Sequence, residues 1–102
     1  MYKLDYTKQF FIDIWCIKTH IEFQLHNPES AKMIFNEIMD RADTLCDFPE
    51  RYSKVLINNY VYHKMPVKRF IVYYSVDKSN QTVTIARVLY GGTDVNQVAI
   101  IN

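Results

Sequence analysis

The chain has 102 residues, 49% hydrophobic and 23% charged, and its twelve basic and eleven acidic residues leave a formal net charge of +1. That length suits one domain with one modest core, needing no disulfide or metal scaffold, and the charge balance excludes a general electrostatic grip on nucleic acid. No run of roughly 18 uncharged apolar residues occurs and MYKLDYTKQF lacks an apolar signal segment, so a cytoplasmic, membrane-free protein is expected.

Tyr2, Leu4 and Tyr6 alternate with Lys3 and Asp5, the period of a strand buried on one face. From Thr7, a plausible N-cap, the period lengthens. Phe10, Ile14, Ile17, Ile21 and Leu25 recur at three and four residues, which predicts a helix of about five turns. HNPES ends it and starts another, with Asn27 as cap, Pro28 in the first turn and Glu29 at the positive end of the dipole. The stripe Ala31, Ile34, Phe35, Ile38, Ala42, Leu45 follows and stops before Pro49.

The second half is rich in Val, Ile, Tyr and Phe and predicts strands near 55–64, 68–77 and 82–90. The last two form an antiparallel hairpin across DKSN, residues 77–80, and Pro66 marks a turn or an edge. The order β-α-α-β-β-β predicts one α+β domain over residues 1–102. In it a helical hairpin packs on one face of a twisted antiparallel sheet, with Phe70, Val72, Tyr74 and Val76 toward the helices. Arg69, Ile71, Tyr73 and Ser75 fall on the opposite, open face. Cys16 and Cys46, widely separated, read as small buried thiols of a reducing compartment. Cys16 and His20, at i and i+4, make at most half a metal site, so neither metal nor cofactor is expected.

Three stretches carry a resemblance. NPESAKMIFNEIMDRADTLCDFPER supplies Pro28 and Ala31 opening the second helix and Leu45 and Pro49 closing it. FIVYYSVD ends an aromatic strand in Val-Asp, and TVTIARVLYGGTD supplies Ile85, Val88, Tyr90, Gly91 and Asp94. With the order of elements, these make the chain resemble the RelE/ParE superfamily of bacterial type II toxins over nearly its whole length.

The resemblance implies one of two main activities, beside members that are inactive or repurposed or have other targets. RelE-like members cut ribosome-bound messenger RNA by attack of a ribose 2′-OH on the adjacent phosphate, which needs a base, cations for the phosphoryl charge and an acid. Lys64 falls where such enzymes carry a lysine, but Ile71 and Thr93 stand where relatives have arginine, and VNQVAIIN contains no terminal tyrosine. His63, Lys68, Arg69, Arg87 and Tyr90 are the conceivable replacements for catalysis, and some have a plainer reading: His63 as a partly exposed strand residue, Arg87 as a structural ion-pair partner. ParE-like members poison DNA gyrase by binding and need no such constellation, so the empty positions favour that branch. The surface implied for target or antitoxin is Lys68, Arg69, Tyr73, Gly91, Gly92, Thr93 and Asp94; Lys68 and Arg69 read equally as a solvated edge.

Gly91 and Gly92 are the only glycines, and side by side after Tyr90 they predict a sharp exit at positive φ that turns the tail across the sheet edge or open face. The family implies a cognate antitoxin that folds on binding and forms a toxin–antitoxin hetero-oligomer, with Trp15, Phe11 or Tyr73 as anchors. The near-neutral charge predicts weak salt dependence of that complex. The competing class is a non-toxic interaction module that binds protein or single-stranded nucleic acid through aromatic residues.

Overall fold

The computed structural model describes residues 1–97. β1 (Lys3–Tyr6) turns Tyr2, Leu4 and Tyr6 to the core, as their alternation predicts. Thr7 then caps α1 (Lys8–Thr19), its Oγ1 accepting from the Phe10 N–H at 3.0 Å. Phe10, Ile14, Ile17 and Ile21 form the buried stripe. A π turn at His20–Gln24 widens the last winding, and Leu25 N–H reaches back five residues to the His20 carbonyl at 3.2 Å. The extra residue per turn carries Leu25 off the stripe, leaving it 58% exposed rather than in the core.

Asn27 caps α2 (Pro28–Asp43) by accepting from the Ser30 N–H at 3.1 Å, with Pro28 in the first turn. Ala31, Ile38, Ala42 and Leu45 are buried; Phe35, expected on the stripe, lies at its margin and is 37% exposed. The helical hairpin covers one face of a five-stranded sheet ordered β1-β5-β4-β3-β2, where β2 is Lys54–Ile57, β3 Tyr60–Val67, β4 Phe70–Asp77 and β5 Thr82–Tyr90.

The α+β architecture is the one expected, with two differences in the sheet. The single strand expected over 55–64 is a hairpin, because Asn58 and Asn59 adopt φ of 51° and 71°, the mirror-image turn that suits a tight two-residue connection. The sheet is also mixed: β1 runs parallel to β5, pairing Lys3 with Thr82 and Tyr6 with Ile85, while the other pairs are antiparallel. β1 and β5 lie at opposite ends of the chain, so no turn between them dictates direction. Pro66 sits inside β3, not in a connection. Its carbonyl accepts from Arg41 Nη2 at 3.1 Å and so faces away from β4, on the stretch of β3 that β2 does not reach. A missing N–H costs nothing there.

Between β4 and β5 the register slips. Tyr73 pairs with Arg87 but Tyr74 pairs with Ile85, so Ala86 is an extra residue, a β-bulge. The slip changes which residues face the helices: Val83 and Ile85 do so before it, Val88 after it, while Ala86 faces the far side. That far side is not bare. Ile57, Tyr62, Tyr73 and Ala86 are buried there with Val95, which belongs to a short 3-10 turn at Val95–Gln97, and Val55, Ile71 and Leu89 flank them.

Candidate functional site

Lys64, Tyr73 and Arg87 occupy one row across β3, β4 and β5. Side chains opposite one another in a regular sheet share a face, so Lys64 stands exposed beside Tyr73 on the far side. The bulge, which sends Val88 to the helix side and Leu89 to the far side, leaves Arg87 by alternation on the side of Tyr73. Its guanidinium is taken up by Asp13 of α1, Nε and Nη2 donating at 2.7 and 2.8 Å, and both residues are 8% exposed. The Arg87 guanidinium is thus a buried structural partner of Asp13, whereas Lys64 is exposed.

His63 is on the helix side. It is 3% exposed, not partly exposed as expected; its ring stacks on Tyr74 at 5.0 Å and Nδ1 lies 2.8 Å from the Tyr52 carbonyl. Burial follows from parity: Met65 and Val67, two and four residues on, line the same core. Tyr90 lies on the helix side too, 47% exposed, its ring 4.7 Å from Phe70. These four candidates for catalysis are therefore split between two faces, Lys64 and Arg87 in one row with Arg87 held by Asp13, and His63 and Tyr90 on the helix side. Tyr73 is itself buried, and burial pushes its hydroxyl above the usual tyrosine range, so it is a neutral packing group and not an exposed anchor.

A second set does come together. Lys68 and Arg69 form the exposed turn between β3 and β4, and the Gly91 N–H donates to the Arg69 carbonyl at 2.8 Å. The exit of β5 is thereby fastened to that turn. The strand does end in a tight turn over residues 90–93, but neither glycine in it has positive φ; the left-handed residues among those described are His26, Asn58, Asn59, Lys68 and Gln81. A Cβ on Gly91 would meet the Arg69 carbonyl at 3.4 Å, an ordinary contact, and one on Gly92 would meet open space. Thr93 N–H donates to the Tyr90 carbonyl at 3.0 Å, and Asp94 accepts from the Asn96 N–H at 3.1 Å. The course of the tail expected after this turn falls mostly on residues 98–102, outside the described residues.

Lys68, Arg69 and Tyr90 share a groove of about 420 Å³ with Leu25, Ile34 and Phe70, between the helical turn and the β3–β4 turn. The spacing places Leu25 and Ile34 on the core stripe, and the π turn brings Leu25 to the border of the groove. Phe11 and Trp15 stand 54% and 67% exposed on the outer side of α1. Cys16 is exposed and Cys46 half-buried, neither being the buried thiol expected. Among the described residues no cluster of three His, Cys, Asp or Glu offers a metal site, and no helix is long and apolar enough to cross a membrane.

Residues 4–95 match the family described as "ParE toxin of type II toxin-antitoxin system, parDE". Among solved structures, a chain from "Chromosomal ParDE TA system from P. aeruginosa" superposes with a TM-score of 0.73 at 17% identity, over 88% of this chain and 96% of that one. At that identity the likeness speaks for the fold. No curated protein matches the sequence. The match across nearly the whole domain, on a fold with the helical hairpin and sheet already described, makes this chain a member of the ParE toxin family of type II toxin–antitoxin systems.

Proposed function

We propose that this toxin acts by binding a macromolecular target, DNA gyrase being the one its family suggests, and that a cognate antitoxin neutralises it. The observation carrying this reading is the dispersal of the groups a ribonuclease would need. Lys64 is exposed on the far side of the sheet, His63 is buried on the helix side, and Arg87, though in the row of Lys64, is buried and engaged by Asp13. In-line attack by a ribose hydroxyl needs a base, an acid and phosphate-stabilising cations within hydrogen-bond reach of one phosphate. Binding needs only a surface.

Purified toxin added to gyrase should block supercoiling or trap cleaved DNA, and Lys64→Ala should remain as toxic as the wild type on induction. Unaffected gyrase at high toxin concentration removes the gyrase target. Codon-linked messenger cleavage that Lys64→Ala abolishes would replace the binding mechanism with the RelE-like one. Co-expression of the adjacent reading frame should restore growth; normal growth without it would point to the non-toxic module instead.

A further inference from the structure

We infer that the groove between the helical turn and the β3–β4 turn seats a segment of the antitoxin in which a large aliphatic side chain neighbours acidic residues. The inference rests on the antitoxin reading above. Its chemistry is two-sided. Leu25 and Tyr90, 58% and 47% exposed, form an apolar wall with Ile34 and Phe70. Lys68 and Arg69 stand at the rim, both exposed, with no ion-pair partner among the described residues, and no acidic side chain lines the groove. Exposed apolar surface beside unpaired cations fits an amphipathic acidic peptide, since the same contact removes hydrocarbon from water and supplies counter-charges.

The backbone holds this arrangement in place. Lys68 has φ of 56°, which is disfavoured for a residue with a Cβ and costs glycine nothing, yet the position carries a cation. The Arg69 carbonyl accepts from Gly91, so the turn bearing both cations is tied to the end of β5. Leu25 is presented by the π turn, a local winding found often at functional sites. A partner segment meets a surface that is already formed and loses little to ordering it.

The test measures affinity between purified toxin and the protein encoded by the adjacent reading frame, at low and high salt. Lys68→Glu with Arg69→Glu should weaken the complex tenfold or more at low salt, on the order expected for like-charge juxtaposition, and should make added salt strengthen binding. Leu25→Ser should weaken it several-fold at all salt concentrations. Lys64→Glu, on the far side of the sheet, should change nothing, and circular dichroism melts should show every variant folded. Unchanged affinity in both the charge-reversed and the Leu25 variants overturns the inference, even if toxicity is lost, because the groove would then serve the target. If the wild type itself forms no complex, the antitoxin reading fails and takes this inference with it.

Discussion

Asp13, in the second turn of α1, closes the bulge of β5. One carboxylate oxygen accepts from Arg87 Nε at 2.7 Å and from the Val88 N–H at 3.1 Å, and the other from Arg87 Nη2 at 2.8 Å. Thr7, the cap of the same helix, donates its hydroxyl to the Ala86 carbonyl at 2.7 Å. A bulge leaves backbone groups without a ladder partner, and buried groups must find one elsewhere. Here α1 supplies them, so the register slip that carries Val88 to the helix side also bolts helix to sheet.

Asp13→Ala should therefore be severe. It leaves a guanidinium buried without its carboxylate and an amide without its acceptor, a loss of about 3–5 kcal/mol that is comparable to the whole stability of a marginal domain. Joint replacement, Asp13→Leu with Arg87→Met, should be milder than Asp13→Ala because no charge is stranded. Urea denaturation of the variants checks both, and equal destabilisation would show that the pair is not coupled in the way its geometry requires.

The helices were legible from the sequence because each carries its own period and its own cap: Thr7 and Asn27 accept as their positions predict. The strands near 68–77 and 82–90 were legible for the same local reason. The bulge was not, since Ala86 looks like any small strand residue and its unpaired groups are satisfied by Thr7, 79 residues away. That one residue reverses the facing of Val88 and Leu89, while the bond to Asp13, also distant in sequence, takes Arg87 out of the expected catalytic set. The β2–β3 hairpin had a signal in Asn58 and Asn59, but the continuous run of β-formers around them concealed it. The groove was half legible: Lys68 and Arg69 stood out as cations, while Leu25 was hidden inside an ideal helical period that the π turn breaks.

Gly91→Ala and Gly92→Ala should each change stability by no more than about 0.5 kcal/mol, the usual range for surface positions. Both glycines have ordinary φ and neither side chain would meet anything closer than the 3.4 Å contact with Arg69. Thermal melts decide this, and a large loss at either site would mean that the chain there needs the freedom of glycine after all.

Trp15 is the only tryptophan and is 67% exposed, so it reports on the outer face of α1. Trp15→Ala should leave stability nearly unchanged, because little of the indole leaves water on folding. In the free toxin its emission should be that of a solvated indole. A shift to the blue on adding antitoxin would show that the partner also covers this helix; an unchanged spectrum in a saturated complex confines the contact to other surfaces.

At high pH, Tyr74 should limit stability. It is fully buried, its hydroxyl donates to the Pro49 carbonyl at 2.8 Å, and burial pushes its pKa up from 10 to about 12. The protonated phenol is neutral, and the fold favours that form over the phenolate. Its contribution is therefore complete below pH 10 and is lost as pH rises from 10 through 12, amounting to about 2–3 kcal/mol for a shift of this size. Urea midpoints measured against pH should fall across that window. Tyr74→Phe should be less stable at neutral pH, since the buried Pro49 carbonyl loses its donor, by about 1–3 kcal/mol. The same variant should show a shallower fall above pH 10, and an identical pH profile in variant and wild type would assign the alkaline loss to other groups.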